Sequence, residues 1–167
     1  MTNPQQNVKK EDIVITRIID APLELVWRAW TEPERVKRWW GPKDYTSPTC
    51  EIDLREGGKY VFCMRAPAEQ GGQDSYTAGT YHKIIPMQRL EFTQGISDAD
   101  GNPIDPTLAG LPADFPRELH MVVVFKAKGS MTELIITESG WTPSQMMVYA
   151  LAGMHQSIDK LAASLAS

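Results

Sequence analysis

Three histidines are the residues of this sequence best suited to acid–base chemistry, because histidine exchanges a proton most readily near neutral pH. They are His82, His120 and His155, and they fall in three different predicted elements. A zinc site needs three or four convergent ligands, and this spacing does not predict one. His120 opens a predicted strand and His155 flanks a predicted helix, so both could face one cavity. A cyclase would need such an acid–base pair within hydrogen-bond reach of its substrate.

The common catalytic motifs are absent from the sequence. It contains no Gly-x-Ser-x-Gly, no His-Glu-x-x-His, no Gly-x-x-x-x-Gly-Lys-Ser/Thr and no dinucleotide-binding glycine pattern. The segment Asp98–Asn102 resembles half of a calcium loop, but Pro103 replaces the required glycine and Ala109 the bidentate glutamate. This segment is therefore interpreted as a turn. The sequence predicts no catalytic residue, no metal and no cofactor.

The composition is that of one globular domain. Of 167 residues, 42% are hydrophobic and 23% are charged, which is typical of a chain that folds around its own core. The net charge of −4 disfavours binding to nucleic acid or to an anionic membrane surface. Arg35, Lys37 and Arg38 lie beside Trp39 and Trp40 and are interpreted as a solvated helix face rather than a nucleic-acid site.

The N-terminal residues and the cysteines predict a cytoplasmic protein. Residues 1–12 are polar, lack the apolar core of a signal peptide and are expected to form a flexible tail. No stretch reaches the roughly 18 apolar residues that a membrane span requires. Cys50 and Cys63 are too few for a disulfide framework and are expected to be reduced thiols. Residues 13–167 are expected to form a single domain, for which the sequence predicts no oligomeric state.

Hydrophobic periodicity predicts a strand, two short helices, a run of strands and a long helix. Ile13–Ile19 is β-branched, and Leu23–Trp30 carries apolar residues at helical spacing. Thr31–Glu34 is a capping box that begins a second short helix. From residue 45 to about residue 140 the period is two, which is typical of antiparallel strands. A second capping box, Thr142–Gln145, begins an amphipathic helix over Pro143–Leu165.

One long segment, residues 96–118, interrupts the run of strands. It holds four prolines, which remove backbone donors and prevent it from forming a central strand. Its apolar residues Leu108, Leu111 and Phe115 are expected to be shielded from water. We predict a partial lid, with Leu111 or Phe115 packed near Trp40 at the mouth of a cavity. The alternative is that the segment packs on the outer face of the sheet.

Several short motifs span most of the chain: Ile18–Trp27, Trp39–Pro42, Glu56–Tyr60, Gly79–Pro86, Arg89–Thr93 and Gly153–Leu161. Their order resembles that of the START-like (SRPBCC) superfamily, and more narrowly the branch related to the activator of heat-shock-protein-90 ATPase. The resemblance implies an α+β helix-grip fold, in which a curved antiparallel sheet wraps around a long C-terminal helix and two short helices follow the first strand. Members of the branch often have tryptophan after the glycine of the last helix, where this chain has Met154.

The resemblance implies three functions, because superfamily members bind lipids and other small hydrophobic molecules, cyclise or dehydrate them, or dock on a chaperone. The lack of a catalytic constellation favours non-catalytic binding of a lipid-like or aromatic molecule between the sheet and the last helix. The alternatives are a chaperone-interacting module and a polyketide cyclase-like or dehydratase-like enzyme that uses His120 or His155. The stripe Met147, Leu151, Met154, Ile158 and Leu161 is expected to face the sheet, whereas Ser144, Gln156, Lys160 and Ser164 are not. The candidate ligand-binding residues are Trp40, Tyr45, Tyr60, Phe62, Met64, Phe92, Phe115, His120, Met147, Leu151, Met154, His155 and Ile158.

Overall fold

The computed structural model describes residues 9–166 and contains one antiparallel sheet, two short helices and one long helix. The strands are β1 (Glu11–Ile19), β2 (Cys50–Ile52), β3 (Lys59–Arg65), β4 (Asp74–Ile85), β5 (Arg89–Ser97), β6 (Leu119–Lys128) and β7 (Met131–Trp141). The helices are α1 (Leu23–Thr31), α2 (Pro33–Val36) and α3 (Gln145–Leu165), with short 3-10 turns at Ala68–Gln70 and Pro106–Ala109. The predicted α+β helix-grip fold is confirmed.

The sheet is curved, and its strand order is β1-β7-β6-β5-β4-β3-β2. Every neighbouring pair is antiparallel, and the last strand, β7, pairs with the first. β1 begins two residues before the predicted Ile13, because Glu11 and Asp12 pair with Trp141 and Ser139. Residues 11 and 12 therefore belong to the sheet rather than to a tail, whereas residues 1–8 lie outside the described residues.

The concave face of the sheet carries the core, and the convex face is open to solvent. Ile15 of β1 is buried opposite Ile136 of β7, whereas Val14 and Ile18 on the other face are 60% and 52% exposed. This alternation is the period of two that the sequence predicts. On the concave side, Trp27 of α1 packs edge-on against a phenylalanine of β6, with ring centroids 5.1 Å apart.

Both predicted capping boxes differ from the structure. Thr31 donates its hydroxyl to the carbonyl of Trp27 at 2.9 Å, and α2 begins at Pro33 without a side-chain cap. Proline at the first helical position has no N–H to satisfy, so this helix loses little without the cap. α3 begins two residues later than predicted, at Gln145, because Ser144 rather than Thr142 accepts the hydrogen bond from a backbone N–H of the first turn.

The connection between β5 and β6, residues 98–118, contacts both faces of the sheet. Its first part is the predicted turn, in which the Asp98 carboxylate accepts hydrogen bonds from the backbone amides of Asp100 and Asn102 at 2.9 Å. Leu108 is 79% exposed, so the expectation that it is shielded from water is wrong. Phe115 packs against the core on the concave side, whereas Gly101 lies against Val61 on the outer face of the sheet, so the two predicted placements apply to different parts of the segment.

Candidate functional site

A cavity of about 450 Å³ lies between one end of the concave face and the first half of α3. Each central strand contributes a side chain where it reaches this end of the sheet. These side chains are Met64 of β3, Thr77 of β4, Gln94 of β5, Leu119 of β6 and Glu138 of β7. The 41–45 loop and the 98–118 segment complete the walls.

The first half of α3 forms the roof of the cavity. Ala150, Gly153 and Met154 line the space, together with Met146 near the start of the helix. Alanine and glycine leave open the volume that larger side chains would fill. Leu151, which is expected to face the sheet, is instead 37% exposed. Adjacent helix faces both carry apolar residues here, so the periodicity alone could not select the inner one.

The second half of α3 holds the 41–45 loop against the cavity. The Lys160 ammonium donates to the carbonyls of Gly41, Pro42 and Tyr45 at 3.1, 3.2 and 2.9 Å. Ser157 donates its hydroxyl to the Gly41 carbonyl at 2.8 Å. Burial lowers the pKa of Lys160, and a nearby aspartate partly offsets this effect. Lys160, which is not expected to face the sheet, therefore anchors one wall of the cavity through the 41–45 loop.

Gln156 also binds the 41–45 loop. Its side-chain oxygen accepts a hydrogen bond from the backbone amide of Lys43 at 3.0 Å. The helix flank that the hydrophobic pattern turns away from the sheet therefore contacts the 41–45 loop. A polar side chain can satisfy loop backbone as readily as it binds water, and periodicity does not distinguish the two environments.

A β-bulge brings Glu138 and Trp141 to the same side of β7. Asp12 pairs with Ser139 and Glu11 with Trp141, so Gly140 is an extra residue in the strand, at φ 115°. Only glycine adopts this backbone conformation at low cost, and bulges of this kind redirect side chains. Residues 138 and 141 would lie on opposite faces of a regular strand. In this structure both are buried and line the cavity.

Four residues that line the cavity each have a buried polar atom with no hydrogen-bond partner among the described residues. These atoms are Glu138 Oε2, Trp141 Nε1, Thr77 Oγ1 and Gln94 Oε1. Burial raises the pKa of Glu138 to about 7, and the nearby Trp141 indole partly offsets this rise. The indole N–H does not, however, meet the criteria for a hydrogen bond to the carboxylate. Unpartnered buried polar atoms cost free energy, so each needs an explanation.

Five of the thirteen candidate ligand-binding residues line the cavity. They are Trp40, Tyr45, Met64, Phe115 and Met154. Both Phe115 and Leu111 of the 98–118 segment reach the same cavity as Trp40, which is where the lid prediction puts them. The direct aromatic contact of Phe115 is with Trp141 rather than Trp40, edge-on at a centroid distance of 5.4 Å.

Three predicted sheet residues lie in solid core instead. Tyr60, Phe62 and Phe92 are buried together, with centroids 4.5 Å apart for Tyr60–Phe62 and 5.5 Å for Tyr60–Phe92. The Tyr60 hydroxyl donates to the carbonyl of Thr93 at 2.6 Å. These rings occupy the concave face, as predicted. Their strands carry them away from the cavity, because alternation specifies the face but not the position along the strand.

The remaining candidates also lie outside the cavity lining. Ile158 is fully buried in the core, and Met147 packs against the core at the start of α3. His120 and His155 are both exposed, and the Nε2 atom of His120 lies 3.6 Å from a carboxylate oxygen of Glu91. The acid–base pair that the cyclase hypothesis requires is therefore not assembled in the cavity.

Sequence reasoning missed the polar cavity residues, of which Glu138 and Trp141 are the most buried. One signal for Glu138 was available. It occupies the inward register of β7, in line with Leu134 and Ile136, where a carboxylate interrupts an apolar alternation. Trp141 gave no such signal, because its inward direction depends on the bulge at Gly140.

Metal and thiol chemistry receive no support from the described residues. Among residues 9–166, no group of three or more His, Cys, Asp and Glu side chains could hold a metal ion. Burial raises the pKa of Cys50 to about 12, so its thiol is a poor nucleophile. Within the same range, no helix is both long and apolar enough to span a bilayer.

The fold and the cavity define a helix-grip protein of the START-like type. Comparison with protein families narrows this class: residues 20–166 match the Activator of Hsp90 ATPase homolog 1-like protein family, and the chain belongs to it. The predicted resemblance is thereby confirmed. Among curated proteins, no sequence matches this chain significantly.

Solved structures of similar proteins share the fold over nearly the whole chain. A Nitrosomonas europaea protein is 25% identical, with a TM-score of 0.72 over 92% of this chain and 93% of the other. A Chromobacterium violaceum protein is also 25% identical, with a TM-score of 0.73 over 92% and 96%. A Silicibacter pomeroyi protein is 22% identical and has a TM-score of 0.72 over 93% and 97%, which shows the common fold alone.

Proposed function

We propose that this protein binds one small, largely apolar molecule, lipid-like or aromatic, between the sheet and α3, without transforming it. The observation that carries the proposal is the cavity of about 450 Å³, whose volume is in the range that small-molecule sites occupy. The fold family commonly binds ligands, which supports this function.

The side chains of the cavity suit an apolar ligand of compact shape. Trp40, Tyr45 and Phe115 present rigid aromatic surfaces, and Met64 and Met154 present flexible thioethers. Aromatic rings supply large contact areas, and methionine adapts to the outline of its partner. The histidines of the cyclase hypothesis lie outside these walls, so binding alone is the function that this geometry favours.

A cavity-filling substitution tests the proposal. Met154→Trp puts an indole where the roof has a thioether, and it should weaken binding of the neutral probe N-phenyl-1-naphthylamine at least about tenfold, because the ligand and the indole compete for one volume. The matched control is His155→Trp, which adds the same side chain at the next, exposed position and should leave binding unchanged. Probe fluorescence measures both affinities.

Two results decide this test. Equal binding by wild type and Met154→Trp, with both variants folded, would contradict the assignment of the cavity as the binding site. Native mass spectrometry of protein purified from its own cells should in addition detect a co-purified small molecule with wild type and lose it with Met154→Trp.

A second candidate function is an interaction with a chaperone. The family description suggests it, and two apolar side chains on the outer side of α3 favour it: Val148 and Leu151 are 58% and 37% exposed. On this hypothesis, purified Hsp90 should hydrolyse ATP faster with wild type than with Val148→Lys/Leu151→Lys, and Met154→Trp should act like wild type. Binding in the cavity predicts the opposite ranking for the naphthylamine probe.

A further inference from the structure

We propose that the ligand carries a neutral hydroxyl group, which accepts a hydrogen bond from Trp141 and donates one to Glu138. This inference rests on the proposed function and specifies the chemical class of its ligand. Two residues carry it. Glu138 is 3% exposed and Trp141 is 2% exposed, both line the cavity, and Glu138 Oε2 and Trp141 Nε1 lack partners among the described residues.

The unpartnered polar atoms are concentrated in this one cavity. Five such side-chain atoms occur among the described residues, and only Trp30 Nε1 belongs to a residue outside the cavity lining. Buried polar atoms in folded proteins are nearly always hydrogen-bonded. Four of the five belong to residues that line the cavity, which indicates that a molecule in the cavity supplies partners, whereas a defect of packing would scatter such atoms through the core.

The types of these atoms select the ligand group. Glu138 offers an acceptor, and the Trp141 indole N–H is a donor that cannot accept. Gln94 adds an amide oxygen, and Thr77 adds a hydroxyl that serves either role. A ligand hydroxyl is the smallest group that donates and accepts at once. It therefore satisfies Glu138 and Trp141 together.

Charged ligand groups fit this cavity less well. A carboxylate would face Glu138, and none of the described lining residues is lysine, arginine or histidine. The nearby Lys160 ammonium already donates to three backbone carbonyls. An ammonium group would satisfy Glu138 but leave the Trp141 N–H without an acceptor. Burial raises the pKa of Glu138 to about 7, which is consistent with a neutral partner.

Four probes on one aromatic frame test the inference. They are biphenyl, 4-phenylphenol, 4-phenylbenzylamine as the cation and biphenyl-4-carboxylate as the anion, each measured by displacement of N-phenyl-1-naphthylamine near pH 7. We expect 4-phenylphenol to bind tightest, about tenfold tighter than biphenyl, because its hydroxyl satisfies two buried groups that biphenyl leaves unpartnered.

Matched variants test whether Glu138 and Trp141 cause the preference for 4-phenylphenol over biphenyl. Glu138→Leu and Trp141→Phe each remove one polar group and keep most of the side-chain volume, so each should reduce the ratio of the two affinities to about threefold or less. Glu138→Gln keeps an acceptor and should retain most of the preference. Trp30→Phe also removes an unpartnered indole N–H, but outside the cavity lining, and it should leave the ratio at about tenfold.

The possible failures separate the two proposals. If biphenyl binds but 4-phenylphenol binds no tighter, or if the cation or anion binds tightest, the hydroxyl inference is overturned and binding in the cavity stands. If Trp30→Phe reduces the ratio as much as Trp141→Phe does, the inference is also overturned. If neither the naphthylamine nor any biphenyl probe binds wild type, the proposed function fails with it.

Discussion

The two halves of α3 lie in contrasting environments although they belong to one continuous helix. In the second half, Ile158 and Leu161 are fully buried in the core, and Ser157 is 5% exposed. In the first half, Val148 and Leu151 are 58% and 37% exposed, and the inner side covers a cavity. The helix is thus held by one half, and the other half is available to cover a ligand.

The difference between the halves arises from side-chain size and from what lies beneath. Ile158 and Leu161 fill the space above the packed core, whereas Ala150 and Gly153 leave space above Glu138 and the end of the sheet. Close packing gives stability, and incomplete packing gives volume for a ligand. One amphipathic helix can therefore serve folding and binding in separate segments.

The largest effect that this comparison predicts is on stability at the packed half. Ile158→Ala should lower the free energy of unfolding by about 2–5 kcal/mol, because it opens a cavity in close-packed core. Leu151→Ala on the first half should cost less than about 1 kcal/mol, since that side chain is partly in water. Urea denaturation of both variants measures the difference. Equal losses would show that the two halves are packed alike.

The pH dependence of stability should reveal the carboxyl group beneath the first half. Glu138 has an ordinary pKa of 4.5, and burial raises it to about 7. The folded state then binds more protons than the unfolded state between these values. The stabilisation by the protonated form is fully present below about pH 4.5 and is lost as the pH rises through about 7. The loss should be on the order of 3 kcal/mol.

Glu138→Gln is the control for this pH effect, since the amide does not titrate. Its free energy of unfolding should exceed that of wild type near pH 8 and approach it near pH 5, by denaturant titration at each pH. Parallel pH profiles for the two proteins would show that Glu138 is not held in a desolvated site.

A smaller effect is expected where the second half of α3 anchors the 41–45 loop. Lys160→Met removes the donor to the carbonyls of Gly41, Pro42 and Tyr45 and keeps the apolar stem. We expect a loss of about 1–3 kcal/mol, because carbonyls that stay buried lose their partner. The variant should also bind N-phenyl-1-naphthylamine more weakly, since Tyr45 and Trp40 form a wall of the cavity. A stability loss with unchanged probe affinity would show that the anchor does not position the wall.

The fold class, the order of the elements and the buried face of each strand can all be predicted from the sequence alone. The signals for these are local: β-branched alternation in Ile13–Ile19, the turn within Asp98–Asn102, and apolar helix positions such as Ile158. The order of the short motifs also predicts the family, and the match over residues 20–166 confirms this prediction. Each of these signals lies within a short stretch of sequence, so it can be interpreted without knowledge of any tertiary contact.

The boundary between the core and the cavity depends on contacts between distant elements. Phe62 and Met64 share one face of β3, yet Phe62 packs among aromatic rings and Met64 lines the cavity. A two-residue period specifies the face of a strand, but what covers each position depends on distant elements. Trp141 shows the same limit, because it joins Glu138 only through the bulge at Gly140, which the pairing of β7 with β1 creates. Those contacts join residues more than a hundred positions apart, and no local pattern encodes them.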